Sequence, residues 1–499
     1  MQLGLIQRSA QRFTTIKVIL SVGSVLLLWS TTRAAVAQGV CAAQVAEQID
    51  AIAARPELSQ GRLGIRVEMQ GQTEAEQTVI ISRDADQFFI PASNIKLLTT
   101  AAALQQLGPD FRVRTSVYGQ THNGLTSLYV VGRGDPTLTN AHLQDLAQQL
   151  AGQGITRVDH LFGYDRYFPG RAYHPNWEWE DVQAGYGAPI NSLILNQNAL
   201  ELALYPSEVG QPLRVEWDDP SQKNRWQIEN FSQTVAAGEP SYADVGQDQL
   251  GQPRLQVFGV LSADYGADPF SIAIANPGEY FLQQFSQSLN EQNMTIAQSA
   301  LLSEPWPQSA PELASITSPP LSAWLPFING DSNNLYAGAL LKALGIAHGA
   351  GNNFTDDATV VGTKAVKNIL EQLGVDPSTY EMVDGSGLSR HNLATPQTFI
   401  DVLQAMAYHP YAAHYRNSLA VAGEQANLRR RFQNTVVQGQ LQGKTGYVRN
   451  NESLSGYFDL PHHPPVVFSI MMSNVNQPAR VMRGVVDEIV LALAQLQPC

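Results

Sequence analysis

Residues 90–100 read Ile-Pro-Ala-Ser-Asn-Ile-Lys-Leu-Leu-Thr-Thr, and this stretch decides the fold that we predict for the chain. Ser93 stands three residues before Lys96, and an apolar run typical of a helix follows. If Ser93 opens that helix, Lys96 returns to the same face one turn later, within reach of the serine hydroxyl. An amine there can take the hydroxyl proton if burial and a cationic neighbour lower its pKa. An N-capping serine followed by a surface lysine would have the same sequence, so the interpretation needs partners elsewhere in the chain.

The composition restricts the class of protein. With 499 residues, of which 44% are hydrophobic and 15% charged, the chain is typical of a globular protein with two or three domains. Its formal net charge of −13 argues against nucleic acid or anionic lipid as a partner. The ten histidines show no His-Glu-x-x-His pattern, so they do not indicate a metal site. No cofactor is expected.

The N-terminal segment has the pattern of an export signal. Basic residues precede the apolar run 18–29, and residues 35–37 supply a small-x-small cleavage site. Residues 1–37 are therefore predicted to be a cleaved secretory signal peptide, which places the mature protein in a periplasm or outside the cell. No later apolar run reaches the length of a transmembrane helix, so none is expected in the mature chain.

Two cysteines, Cys41 and Cys499, lie at the two ends of the mature chain. In an oxidising compartment they could pair and tie the termini together. Unpaired thiols are the alternative.

Hydrophobic periodicity divides the rest of the chain. A helix and two strands lead into the Ser93 helix, which is expected to end near Leu107, before Gly108-Pro109. Further on, short strand-like runs alternate with Gly, Pro and Asp turns, which indicates an inserted β-rich module. The last part is helical and ends in three strands with short connections, typical of an antiparallel meander, and a final helix. The predicted boundaries are 1–37 for the signal peptide, 38–110 for the first part of the main domain, 111–302 for the insert and 303–499 for the second part.

Two further motifs follow Ser93 in order. Ser332-Asn333-Asn334 stands just before a predicted helix, and Lys444-Thr445-Gly446 lies on the first strand of the meander. A lysine, a hydroxyl and a glycine on a strand edge bring together a fixed charge, a donor and a closely approachable backbone. Each motif alone occurs by chance, but all three in this order behind a signal peptide are much rarer. This triple is the signature of class A β-lactamases and penicillin-binding proteins.

The sequence also resembles one family in particular, the class C low-molecular-mass penicillin-binding proteins, which are D-alanyl-D-alanine carboxypeptidase/endopeptidases. The resemblance covers essentially the whole mature chain. It rests on the three motifs and on the phrase Asp-Gly-Ser-Gly-Leu-Ser-Arg at residues 384–390. The long separation of Ser93 from Ser332 leaves room for the domains that this family inserts there, whereas a compact β-lactamase has no such insert.

The resemblance implies an α+β fold. Its core is a penicillin-recognising serine transpeptidase (β-lactamase-like) domain, an antiparallel sheet flanked by helices and interrupted in sequence by the β-rich insert. The N- and C-terminal helices are expected on one face of the sheet and a helical subdomain behind the serine. If the terminal helices are neighbours, Cys41 and Cys499 come close together.

The resemblance also implies a function. The protein would be an exported serine D,D-peptidase that cleaves the D-Ala-D-Ala bond of peptidoglycan stem peptides, and in addition cross-links, through an acyl-enzyme on Ser93. β-Lactams would be covalent inhibitors. Lys96 would be the base, Ser332 would relay a proton, and Asn334 would hold substrate or Lys96. The remaining predicted site residues are Lys444 for electrostatics and Thr445, Gly446 and Tyr447 for substrate binding.

Tyr447 departs from the family pattern, in which a serine or threonine commonly follows Lys-Thr-Gly. An oxyanion hole built from the backbone N–H groups of Ser93 and Tyr447 would survive, because backbone donors do not depend on side-chain type. The contact that a hydroxyl would make to substrate is lost, so we expect an altered substrate preference.

Other residues have simpler interpretations. Asp384, Ser386 and Arg390 are expected to shape a turn near the site and not to take part in the chemistry. Trp177 and Trp179 fit either packing or a sugar-stacking platform.

Two other functions are weighed against the peptidase. One is a β-lactamase or esterase-like hydrolase on the same site, for which deacylation would have to be fast. The other is a non-catalytic penicillin-binding wall sensor that kept the fold, and the completeness of all three motifs argues against it.

Overall fold

The computed structural model describes residues 40–73, 75–122, 125–247, 249–350 and 356–499. The predicted signal peptide, residues 1–37, lies outside these ranges. A search of the described helices for one with the length and apolar character of a membrane span finds none.

The described chain alternates helices and strands, numbered here in chain order. The helices are α1 Ala42–Ala53, α2 Ile95–Leu107, α3 Asn140–Ala151, α4 Pro277–Glu291, α5 Leu321–Asn329, α6 Asn334–Ala347, α7 Ala358–Gln372, α8 Pro396–Ala407, α9 Ala412–Asn417 and α10 Ala479–Leu493. The strands are β1 Arg62–Met69, β2 Val79–Arg83, β3 Arg114–His122, β4 Leu125–Val131, β5 Arg157–Tyr164, β6 Ala199–Tyr205, β7 Arg214–Trp217, β8 Gln227–Asn230, β9 Gln233–Val235, β10 Tyr242–Gln247, β11 Arg254–Ser262, β12 Asp268–Ala273, β13 Thr295–Leu301, β14 Glu312–Thr317, β15 Tyr380–Glu381, β16 Leu393–Ala394, β17 Ala420–Val421, β18 Leu441–Val448, β19 Asn451–Phe458 and β20 Val466–Ser473.

The main sheet joins the two ends of the chain. Its order is β17-β18-β19-β20-β1-β2, and every neighbouring pair is antiparallel. All residues of β19 and β20 are buried, because helices cover both faces of the sheet. Phe468 and Ile470 contribute to the core beneath α1 and α10, whereas Val467 and Met471 contribute to the core beneath α2 and α8.

The helical layer behind the serine is built around α2. Residues 95–104 of this helix are all buried, so α2 is surrounded on every side and not only on one stripe. It contacts α5, α6, α7 and α8. Since α2 begins directly after Ser93, this packing fixes the serine relative to the sheet.

The insert contains two layers of its own. One is a five-stranded sheet in the order β13-β5-β4-β3-β14, with α3 and α4 packed against it through residues such as Leu146 and Phe285. The other is a core shared by the β12-β6-β7 sheet and the β8–β11 sheet, including Leu204, Trp217 and Val257. Because β14 pairs with β3, the first sheet continues past residue 302 as far as Thr317.

The two ends of the described chain are joined. Cys41 and Cys499 form a disulfide with their Cα atoms 5.7 Å apart. Beside it, Val40 pairs with Leu496 in a parallel bridge, and the Val40 N–H donates to the Gln495 carbonyl over 2.8 Å. Helices α1 and α10 therefore lie side by side on the same face of the main sheet.

The disulfide should stabilise the folded chain by restricting the unfolded one. Replacing Cys499 by serine is expected to lower the free energy of unfolding by about 2–4 kcal/mol, measured by denaturant titration. Cys41→Ser and the double variant should lose the same amount, because each removes the same bond. A loss that doubles in the double variant would contradict a shared bond.

Candidate active site

Ser93 lies in a single 3₁₀ turn, Ala92–Asn94, immediately before α2. The preceding Ala92 has a left-handed φ of 48°, which turns the chain sharply into the helix. Two side-chain contacts hold the turn on β19: Ser453 Oγ donates to the Pro91 carbonyl over 2.8 Å, and Asn94 Nδ2 donates to Ser455 Oγ over 2.7 Å. The turn therefore places Ser93, half-buried, at the junction of helices and sheet.

Lys96 lies directly behind the serine and is completely buried. Its Nζ donates to Ser93 Oγ over 2.9 Å, to Asn334 Oδ1 over 2.6 Å and to the Ser386 carbonyl over 2.5 Å. Burial lowers the pKa of this amine to about 7, although the negative charge of Asp384 opposes the shift. A substantial fraction of Lys96 is therefore neutral near physiological pH and able to accept a proton.

Lys444 is a second fully buried lysine, on β18. Its Nζ donates to Ser332 Oγ over 2.8 Å and to the Thr445 carbonyl over 2.7 Å. Burial, and then the charge of Lys96, lower its pKa well below the usual value, and Asp331 opposes this. Because the two amines disfavour each other's charge, they do not titrate independently.

Ser332 lies in the connection from α5 to α6, and Asn334 lies at the start of α6. Ser332 has a φ of 66°, and Asn333 caps α6 by accepting from the Tyr336 N–H over 3.0 Å. Asn334 is the first residue of α6, and its amide Nδ2 donates to the Tyr186 carbonyl over 2.9 Å. That contact leaves Asn334 Oδ1 pointing at Lys96.

Gly446 allows β18 to approach the serine turn. A Cβ atom there would lie 2.7 Å from the Pro91 carbonyl oxygen and 3.0 Å from the Ser93 nitrogen, too close for any side chain. Thr445 lies between Lys444 and Gly446 on the same strand, and its carbonyl accepts from Lys444. Tyr447 follows, 43% exposed, with the Arg483 guanidinium 5.3 Å from the centre of its ring.

A cleft of about 520 Å³ opens above these residues. Ser93, Ser332, Asn334 and Tyr447 line it, while Lys96 and Lys444 are buried beneath it. Its remaining lining residues are Glu178, Glu180, Asp181, Tyr186, Gly387, Leu388, Arg390, Val448 and Arg449. Among the described residues, no cluster of three or more His, Cys, Asp or Glu side chains could hold a metal ion.

The structure adds groups that the sequence did not indicate. The Ser386 carbonyl contacts Lys96, so the segment 384–390 forms a turn that touches the buried amine through its backbone. Arg390 at the cleft rim pairs with Glu178 of the insert over 2.6 Å. The sequence could not indicate these groups, because a backbone acceptor has no side-chain pattern of its own and the insert residues carry no recognised motif.

The chain is similar in sequence to proteins of a known family. Residues 45–496 match the model of the D-Ala-D-Ala carboxypeptidase 3 (S13) family. The chain belongs to this S13 family. It is 32% identical to the D-alanyl-D-alanine carboxypeptidase of Actinomadura sp. (strain R39), over 94% of this chain and 88% of that protein. It is also 27% identical to the D-alanyl-D-alanine carboxypeptidase DacB of Haemophilus influenzae, over 79% of this chain and 82% of that protein.

The fold described above also occurs among solved protein structures. The crystal structure of penicillin binding protein 4 (dacB) from Haemophilus influenzae matches with a TM-score of 0.74 at 24% identity, covering 89% of this chain and 98% of that one. The predicted family and the predicted α+β, penicillin-recognising fold are confirmed. As a member of the S13 family, the protein is a serine-type D-Ala-D-Ala carboxypeptidase.

A substitution at Gly387 tests how tightly the turn at residues 384–390 packs against the turn that carries Ser93. At this residue, φ is +80° and an added Cβ would lie 1.8 Å from the Ala92 carbonyl oxygen and 3.0 Å from the Ser93 nitrogen. Gly387→Ala is expected to lower D-alanine release at least about hundredfold, because the serine turn must move.

Gly374→Ala is the matched control, since φ is +89° there but an added Cβ meets nothing within 4 Å. It should cost only about 1 kcal/mol of unfolding free energy for the left-handed backbone and leave activity unchanged. Equal loss of activity in both variants would show that backbone strain, and not the contact with the serine turn, is responsible.

Proposed function

We propose that this protein is an exported D,D-peptidase that cleaves the D-Ala-D-Ala bond of peptidoglycan stem peptides through an acyl-enzyme on Ser93. The observation that carries the proposal is the 2.9 Å contact between Ser93 Oγ and the buried amine of Lys96. A serine hydroxyl is a weak nucleophile unless an adjacent base accepts its proton. Export is inferred from the signal-peptide pattern in residues 1–37.

The first half of the reaction forms the acyl-enzyme. Neutral Lys96 accepts the Ser93 proton while Oγ attacks the carbonyl carbon between the two D-alanines. The oxyanion that forms is held by the backbone N–H groups of Ser93 and Tyr447, on either side of the close approach at Gly446. The bond to the leaving nitrogen then breaks as Ser332 gives its hydroxyl proton to that nitrogen, and the proton that Lys96 took from Ser93 passes to the Ser332 oxygen.

Lys444 supports this proton transfer. Its Nζ contacts Ser332 Oγ over 2.8 Å, so it stabilises the oxygen when the proton leaves. The charge of Lys96 also lowers the pKa of Lys444, so the two buried amines disfavour each other's charged form. The second half of the reaction adds water to the ester on Ser93, returns a proton through Lys96 and releases the shortened peptide.

Susceptibility to β-lactams follows from the same chemistry. Penicillin binding protein 4 (dacB) from Haemophilus influenzae, a protein of the same fold, has been crystallised in complex with a novel β-lactam. We infer that β-lactams acylate Ser93 here as well, in place of the stem peptide. A β-lactamase would instead hydrolyse this ester quickly, so the lifetime of the label separates the two functions.

The central prediction concerns the two residues of the serine turn. Ser93→Ala and Lys96→Ala should abolish both D-alanine release from a defined pentapeptide and stable labelling by fluorescent penicillin, because nucleophile or base is missing. Mass spectrometry of the products, with a cross-linked dimer as a second substrate, measures carboxypeptidase and endopeptidase activity side by side. Labelling that persists in Ser93→Ala would overturn the assigned nucleophile, and rapid turnover of the label in the wild type would support the β-lactamase.

The acylation rate should depend on pH through Lys96. Only the neutral amine accepts the serine proton, so the second-order rate constant should rise with pH, with a midpoint near the Lys96 pKa of about 7. Between pH 8 and pH 6 the rate should fall about tenfold. Stopped-flow measurement with a fluorescent penicillin gives this profile, and a rate that stays flat from pH 5.5 to 9 would argue against Lys96 as the base.

A further inference from the structure

A short segment of the insert, residues 177–186, contacts the residues that provide hydrogen-bond acceptors to Lys96 and the turn around them. Besides Ser93, the Lys96 amine has two hydrogen-bond acceptors, Asn334 Oδ1 and the Ser386 carbonyl. The helix that carries Lys96 holds part of the turn itself, because Thr99 Oγ1 of α2 donates to the Gly385 carbonyl over 2.8 Å. In addition, Asn334 is connected to the insert segment by a direct contact, and Ser386 is connected to it through Asp384.

The first connection runs through Trp177. Its indole Nε1–H donates to Asp384 Oδ2 over 2.8 Å, and the half-buried ring packs against the core that surrounds α2. Trp179, two residues further on, is 57% exposed, and its ring N–H has no hydrogen-bond partner among the described residues. The two tryptophans, which the sequence left open between packing and sugar stacking, therefore have different surroundings.

Asp384 links the Trp177 contact to the backbone of its own turn. The carboxylate is only 3% exposed and accepts four contacts from its own loop. Oδ1 accepts from the N–H groups of Ser386 and Gly387 and from Asn392 Nδ2, and Oδ2 accepts from the Ser389 N–H. The Trp177 N–H is the contact that ties this carboxylate to a different part of the chain. Because Ser386 is held through its N–H, its carbonyl is aimed at Lys96.

The second connection runs through Tyr186. Its backbone carbonyl accepts from Asn334 Nδ2 over 2.9 Å, which orients the amide so that Oδ1 faces Lys96 over 2.6 Å. The insert segment thus holds both acceptors of the amine, one through an indole N–H and one through a backbone carbonyl. Of the two, only the indole contact can be removed by changing a side chain of the insert segment.

We propose that Trp177 is a positioning residue for Lys96, acting through Asp384 and the Ser386 carbonyl. The inference rests on the proposed role of Lys96 as the base. The insert is then part of the catalytic apparatus, because it sets the direction of the amine relative to the Ser93 hydroxyl. The charged groups that face Lys96 in this arrangement are Asp384, from the turn, and Lys444, from β18.

The test removes the indole N–H and keeps an aromatic ring at residue 177. Trp177→Phe is expected to lower the rate of acylation by a fluorescent penicillin about tenfold. The reason is that the Lys96 amine is no longer held in the correct direction relative to the Ser93 hydroxyl. The acid limb of the pH profile should move to lower pH by about half a unit. A weaker hydrogen bond to the Ser386 carbonyl stabilises the charged form of Lys96 less and so lowers its pKa. Trp179→Phe, the same substitution at the exposed neighbour, should stay within about twofold of the wild type with an unshifted profile.

A second variant separates positioning from packing. Replacing Trp177 by β-(3-benzothienyl)alanine, which has sulphur in place of the N–H, keeps the shape of the ring and should reproduce both changes without lowering the melting temperature. A wild-type rate and profile in this variant would overturn the inference, as would a Trp177→Phe variant that loses only thermal stability. If Lys96→Ala still acylates, the proposed function itself fails. If Lys96→Ala is inactive while both Trp177 variants behave like the wild type, only the positioning role fails.

Discussion

The arrangement of the site depends on keeping one amine away from water. An exposed lysine would be almost fully charged at neutral pH and could not act as the proposed base. Here the amine of Lys96 is buried at the end of a helix that is itself enclosed on all sides, and it has three oxygen partners but no carboxylate in direct contact. This gives enough polar contact to tolerate the charged form and not enough to stabilise it fully. The same burial that makes α2 the centre of the helical layer therefore also lowers the pKa of its one lysine.

That constraint explains why three distant parts of the chain must meet. The α5–α6 connection supplies an amide and a hydroxyl, β18 supplies the second lysine, and the turn at residues 384–390 supplies a carbonyl. Each part comes to the site with its backbone in an unusual or close-packed conformation, as at Ser332, Gly446 and Gly387. Such positions are tolerated where the surrounding structure determines them, and they are common at functional sites. The insert completes the set without contributing a residue to any of the three motifs.

The sequence predicted much of this because short motifs retain chemistry even when the fold is unknown. Ser93, Lys96 and Lys444 were predicted from spacing and order, and the structure places Ser93 in the cleft and the two lysines beneath it. The predicted antiparallel meander is present as β18, β19 and β20. Its first connection is short, as expected: Arg449 and Asn450 form a two-residue turn in which Asn450 takes a φ of 68°. The contacts of Trp177 and the Ser386 carbonyl could not be predicted, because they join segments more than two hundred residues apart through groups without a sequence signal.

The bond between Cys41 and Cys499 has a topological consequence. It turns almost the entire described chain into a closed loop, with both former ends on the sheet face that carries α1 and α10. A single proteolytic cut at any exposed position between them opens the loop but does not divide the molecule. After such a cut in the insert, the piece with Ser93 and the piece with Lys444 would remain covalently connected through the disulfide. In an environment rich in proteases, the two halves of the site would stay together by linkage as well as by packing.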